Sequence, residues 1–231
     1  MKTQLDSENN VNMARRSFLR YAGVGAAAVT GAMVLDSCKK KDNDVPTPVN
    51  TIDIGAGDIG ILNFAYALEQ LEAAFYIQAV ANPYSGISQS ERDLLTDIRD
   101  HEVAHRQFFK AAIGGSAINA LTVDFSSIDF SNRDKVLAAA KAFEDTGVGA
   151  YNGAGYLIKD VNYLALAGKI VSVEARHAAY IRALISPASF ADSTILDGNA
   201  MDKQLTIAQS LTIANTYLKT KVSAASFNYV P

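Results

Sequence analysis

The chain has 231 residues and a formal net charge of −3, enough length for one domain to bury a core without a covalent staple. Its basic residues form no concentrated patch, which argues against nucleic acid as a partner. Cys38 is the only cysteine, so an intramolecular disulfide is excluded.

Residues 1–37 are expected to be a signal peptide. Ala14-Arg15-Arg16-Ser17-Phe18-Leu19-Arg20 resembles a twin-arginine export signal, whose pathway carries proteins already folded. The apolar run that follows, residues 21–35, is shorter than the roughly 20 residues of a permanent transmembrane helix. It ends in Leu35-Asp36-Ser37-Cys38, which resembles a lipobox with Cys38 as the acylated residue; the alternative is a retained anchor followed by an incidental cysteine. Removing residues 1–37 shifts the net charge from −3 to −4. Residues 38–55, charged and then carrying Pro46 and Pro48, are expected to be a flexible tether. The expected location is the cell envelope, periplasm-facing or at the surface, with the membrane as partner through a lipid on Cys38.

Residues 56–186 are expected to hold four long amphipathic helices. The first runs from about residue 58 to 81 and is closed by Asn82-Pro83-Tyr84-Ser85-Gly86. The second begins after Ser88, with Ser90 and Glu91 near its start, and ends near Gly114-Gly115. The third starts near Ser131-Asn132, with Asp134 in its first turn, and reaches about residue 158. A break at Asp160-Val161-Asn162 leads into the fourth, which ends before Pro187. A C-terminal extension, residues 187–231, is expected to carry a shorter fifth helix over about residues 202–219. Short links make helices one and two, and three and four, antiparallel hairpins. The connection between helices two and three has about 16 residues, spanning roughly 50 Å when extended, against about 37 Å for a 25-residue helix. It can therefore cross the bundle, giving an all-α fold of two hairpins joined by a long crossover.

A pattern of metal-ligand type occurs twice on these helices. Glu69 is followed seven residues on by Tyr76, and a Glu-x-x-His pair follows at Glu102 and His105; Glu144 is followed seven residues on by Tyr151, with a second pair at Glu174 and His177. The residues fall on helical seams. Helix one reads Leu62, Ala65, Glu69, Glu72, Tyr76, Ala79, and helix three reads Leu137, Ala140, Glu144, Gly147, Tyr151, Ala154. Helix two reads Leu95, Ile98, Glu102, His105, Phe109, Ala112, and helix four reads Ala167, Ile170, Glu174, His177, Ile181, Leu184. Each charge buried alone costs several kcal/mol. Two divalent cations would offset four carboxylates, with imidazoles completing the coordination; the plainer alternatives are acids facing solvent, or acids sharing protons and buried water. Gly147, Gly149, Gly153 and Gly155 weaken helix three by up to about 1 kcal/mol each, which predicts a close approach or a local bulge there.

The ligand set resembles that of the ferritin-like superfamily of dinuclear carboxylate proteins, which includes bacterioferritins, rubrerythrins and manganese catalases. The segments at residues 68–76, 100–105 and 143–151 resemble the branch containing desiccation-related and exported ferritin-like proteins. The resemblance covers roughly residues 55–186. It implies a ferritin-like four-helix bundle holding two metal ions, iron or manganese, which oxygen and nitrogen ligands do not distinguish. It implies Glu102 and Glu174 as bridging carboxylates, Glu69 and Glu144 as terminal ones, and His105 and His177 as one imidazole per metal. Tyr76 and Tyr151 would hydrogen-bond carboxylates from outside the coordination sphere, or be core aromatics with a wet hydroxyl. Glu72, opposite Gly147, would be an extra ligand as in rubrerythrins, or a rim residue reaching water. His101 lies off the seam and reads as a surface or flanking histidine. The implied activity is redox chemistry with oxygen or peroxide, so an oxidoreductase acting on a small oxidant. The competing reading is a non-catalytic, stress-protective or scaffold bundle with structural metal or none. Self-association into a homo-oligomer is left open.

Overall fold

The computed structural model describes residues 51–227. Arg15, Arg16 and Cys38, with the expected signal peptide and most of the expected tether, lie outside the described residues. Four long helices dominate: α1 (Gly57–Ala81), α2 (Gln89–Ile113), α3 (Arg133–Ala154) and α4 (Val161–Ile185). A short α5 (Ile207–Ala214) follows, and two three-residue strands, β1 (Thr51–Asp53) and β2 (Lys221–Ser223), pair in parallel with Thr51 opposite Lys221.

Local chemistry sets the helix ends. The Ser88 side chain accepts from the Glu91 N–H, that of Asn132 from Lys135, and that of Asp160 from Asn162, so three helices start on side-chain caps. Helix α2 stops at Gly114, whose φ of 62° lies in the left-handed region. Asp58, in the first turn of α1, accepts from the N–H groups of Lys159 and Asp160 and so fixes the start of α4 against α1.

Helices α1 and α2 form one antiparallel hairpin, and α3 and α4 the other. The connection from α2 to α3 runs the length of the bundle, so α2 and α3 point the same way. It is strapped to α1 by two buried amides. Asn63 accepts from the Ile118 N–H at 2.9 Å and donates to the Ser116 carbonyl, while Gln70 accepts from the Leu121 N–H at 2.8 Å. On its outer side the C-terminal segment covers it: the Asp124 backbone N–H donates to the Tyr217 carbonyl and the Lys219 backbone N–H to that of Thr122. The fold is an all-α bundle of two hairpins and a crossover with a C-terminal helix added.

Three differences from the sequence expectation have physical causes. The chain is already structured at residue 51 rather than a free tether to residue 55, because Ile54 is buried and the Asp53 carboxylate accepts from Gly55 and Ser226. The fifth helix is confined to Ile207–Ala214, since the Thr206–Gln209 capping box starts it late and a 3₁₀ turn at Asn215–Tyr217 ends it. Helix α3 stops at Ala154 and gives way to a 3₁₀ turn, Gly155–Leu157, rather than continuing to residue 158.

Two of the α3 glycines, Gly149 and Gly153, are explained by the chain beyond α4, not by another helix. A Cβ on Gly153 would collide with the Leu205 backbone, and one on Gly149 would come within 2.9 Å of the Leu205 side chain. That approach lets the Gly149 carbonyl accept from the Leu205 N–H at 2.8 Å. The same C-terminal segment is held by Arg182, fully buried, which donates to Asp145 on α3 at 2.6 Å, to the Ser189 carbonyl, and to Asp192 and Thr194. Sequence reasoning missed this arginine; the Asp192–Thr194 turn four residues past Ala188 was its only local sign.

Candidate metal centre

All four long helices send acidic side chains to one place. Glu69 from α1, Glu102 from α2, Glu144 from α3 and Glu174 from α4 are each fully buried. Each hairpin reaches across to the other. His105 Nδ1 lies 2.9 Å from Glu174 and 3.4 Å from Glu69, while His177 Nδ1 lies 2.8 Å from Glu102 and 3.5 Å from Glu144. The tyrosines cross the same way: Tyr76 on α1 donates to Glu144 Oε1 at 2.6 Å, and Tyr151 on α3 donates to Glu69 Oε1 at 2.5 Å. Burial and the neighbouring carboxylates push both phenols well above their ordinary pKa, so both stay protonated as donors.

The donor atoms fall into two overlapping sets. Glu69, Glu102, His105 and Glu174 offer atoms within 4.8 Å of one another, and so do Glu102, Glu144, Glu174 and His177. Glu102 and Glu174 belong to both. Several of these atoms have no hydrogen-bond partner although they are buried: both oxygens of Glu102 and of Glu174, Glu69 Oε2, Glu144 Oε2, and Nδ1 of both histidines. They are close enough to attract and misaligned for hydrogen bonding. Buried polar atoms left in this state are costly, and carboxylate oxygens with imidazole nitrogens are the donor set for iron or manganese. The residues fit bound metal ions.

The electrostatics of the protein alone show the same demand for positive charge. Burial raises Glu69 to about 7, and burial with the surrounding carboxylates holds Glu174 well above the usual carboxylate range. Burial opposes charge on the histidines, but the carboxylates outweigh it, pushing His105 up to about 12 and His177 to about 10. Without cations the cluster gathers protons.

Glu72 is neither at the rim nor in either donor set. It is 3% exposed, and burial with repulsion from Glu174, Glu102, Glu69 and Glu144 raises its pKa well above the ordinary value. Gly147 makes its room: a Cβ there would lie 2.9 Å from Glu72 Oε1. His101, expected as a surface residue, is exposed yet engaged. Its Nδ1 lies 2.9 Å from His177 Nε2, an interaction that the i, i+4 spacing to His105 did not suggest because the partner is on another helix.

Four helices closing on carboxylates, two imidazoles and two phenols define a carboxylate-centred helical bundle of the class that houses dinuclear sites. Residues 57–187 match the ferritin-like domain family, and the chain belongs to that family. No curated protein matches it.

Proposed function

We propose that this chain is an exported, lipid-anchored dinuclear metal protein performing redox chemistry with a small oxidant. The observation that carries the metal reading is the sharing of Glu102 and Glu174 between two buried donor sets whose atoms otherwise lack partners. Glu69 and His105 would complete one position, Glu144 and His177 the other, with Tyr76 and Tyr151 orienting the terminal carboxylates. A bound iron or manganese pair supplies two electrons, enough with two protons to reduce dioxygen to hydrogen peroxide or hydrogen peroxide to water. The protein's own part is to hold the donors in place, keep bulk water out with the apolar residues above and below, and keep the phenols protonated. Export and anchoring rest on Arg15, Arg16 and Cys38 in the sequence.

The deciding experiment is elemental analysis of the protein purified from its native compartment, followed by turnover of hydrogen peroxide and dioxygen. Two equivalents of iron or manganese with turnover support the proposal; absence of metal leaves the scaffold reading. Replacing Arg15 and Arg16 by Lys should stop export, and Cys38→Ser should release the protein from membranes. Continued membrane association of Cys38→Ser would mean a retained apolar anchor.

A further inference from the structure

The two ends of the bundle are built on matching seams but are packed differently. Exchange of α1 with α3 and of α2 with α4 superimposes the ligand pattern, pairing Glu69 with Glu144 and Glu102 with Glu174. The end beyond Glu144 and His177 is filled. Leu95 and Ile181 are buried there, Leu184 packs against them, and Phe75 meets Phe143 with ring centroids 5.0 Å apart. At the opposite end the equivalents of Leu95, Leu184 and Phe75 are Ala167, Ala112 and Ala150. These small-for-large differences leave a cavity of about 30 Å³ among all four helices.

That cavity adjoins one half of the metal centre. Ala65, Phe109 and Ile170 line it, and each stands four residues, about one helical turn, from Glu69, His105 or Glu174. Tyr151 forms the wall between, its hydroxyl committed to Glu69. The only side-chain polar groups in the lining are the hydroxyls of Tyr151 and Tyr163. A water needs two to four polar partners, and an apolar cavity without them stays dry while accepting apolar guests. Hydrogen peroxide, which must keep its own hydrogen bonds, has the same difficulty as water.

We infer that this cavity is a binding pocket for a small apolar molecule, dioxygen, and supplies it to the Glu69–His105 half of the centre. The inference rests on the proposed dinuclear function and narrows its oxidant from dioxygen or peroxide to dioxygen. Half-buried Phe108, Tyr163 and Leu166 line its outer side, so small side-chain movements suffice for entry.

Xenon is the probe of the pocket, and its readout does not depend on metal. In the full chain, xenon should shift the methyl resonances of Leu62, Ala65 and Ile170 saturably, and dioxygen should broaden the same signals. The double variant Ala112→Leu/Ala167→Leu, which copies the packed end, should lose both effects. Loaded with iron(II), it should be oxidised by dioxygen more slowly than the natural chain and by hydrogen peroxide at the same rate. If the double variant does not fold, Ala167→Val tests the same space with less added volume. Absence of xenon binding in the natural chain overturns the inference, as does unchanged oxidation by dioxygen in a filled variant that has lost xenon binding. A chain that binds xenon but no metal overturns the supply role through the failure of the dinuclear reading, an outcome distinct from failure of the pocket.

Discussion

His101 Nδ1 and His177 Nε2 stand 2.9 Å apart, with the rings stacked at 5.1 Å and inclined by 15°. Because His177 Nδ1 points at Glu102, a metal held there leaves the ring proton on Nε2, where His101 is placed to accept it. The partner of a ligating imidazole fixes its orientation and tautomer. His101→Ala should therefore lower metal affinity, by roughly 10- to 100-fold if it acts as other outer partners do. Titration calorimetry of the variant checks this, and His101→Asn, which keeps an acceptor, should recover part of the loss.

The overlap of the donor sets predicts stoichiometry. Glu102 and Glu174 serve both sets, whereas Glu69 and Glu144 serve one each. Glu102→Ala and Glu174→Ala should bind little metal of either kind. Glu69→Ala and Glu144→Ala should each retain about one equivalent under the bridged arrangement. Elemental analysis distinguishes these outcomes directly.

Glu72 and Gly147 make a paired test. Adding a methyl at Gly147 forces the Glu72 carboxylate to move, since the new Cβ would stand 2.9 Å from Oε1. The flexible end of a side chain can move, so Gly147→Ala should fold. If Glu72 helps to hold cations, both Gly147→Ala and Glu72→Gln should reduce metal content; unchanged content in both would assign Glu72 a packing role.

Removing metal should make stability depend on pH in one direction. Glu69, Glu72, Glu144 and Glu174 all have folded pKa values raised by burial, so in the folded state they are penalised once ionised. For Glu69 that penalty grows as pH rises from 4.5, the ordinary value, to about 7. His105 and His177, raised to about 12 and about 10, add stability that is full below their ordinary value of 6.5 and is lost as pH climbs through the folded values. These shifts favour the acidic side. On Glu102 burial is outweighed by His105 and His177, which hold it at about 2. That opposing contribution is lost only below its ordinary value of 4.5 and leaves the comparison of pH 5 with pH 8 unchanged. Chelated protein should melt higher near pH 5 than near pH 8, while metal-loaded protein should be most protected near neutrality. Melting curves with and without chelator test the sign.

Arg182 should be among the most sensitive positions outside the centre. Arg182→Ala would take the guanidinium away from Asp192, from the Ser189 carbonyl and from Asp145, which keeps Lys141 at 3.6 Å. The variant should be clearly destabilised, because residues 189–194 lose the buried group they fold over. Gly153→Ala, overpacking against the Leu205 backbone, should cost about 1–3 kcal/mol. Denaturant unfolding measures both.

The four helices were legible in the sequence because their signals are local. Ser88 and Asn132 cap where they stand, residues 82–86 turn the chain, and the seam spacing brings Glu69, Glu102, Glu144 and Glu174 to one face each. Connection lengths then sufficed for the topology. What escaped depends on distant partners. Strand β1 exists because β2 lies beside it, Arg182 is buried because residues 189–194 fold over it, and His101 matters through a residue on α4. Glu72 reads as a rim residue until Gly147 is placed opposite and the cluster closes around it.

The strand pair joining Thr51 to Lys221 also sets a timetable for synthesis. A ribosome releases β1 before β2, with the whole bundle made between them. Until residues 215–223 emerge, β1 has no partner and the crossover lacks the Tyr217 carbonyl and the Lys219 N–H that hold its outer side. Contacts between such distant segments form late, since the intervening loop must close first. The nascent chain therefore carries paired helices with an open flank until residues 215–223 emerge, and the latch falls only after the last helix has left the ribosome.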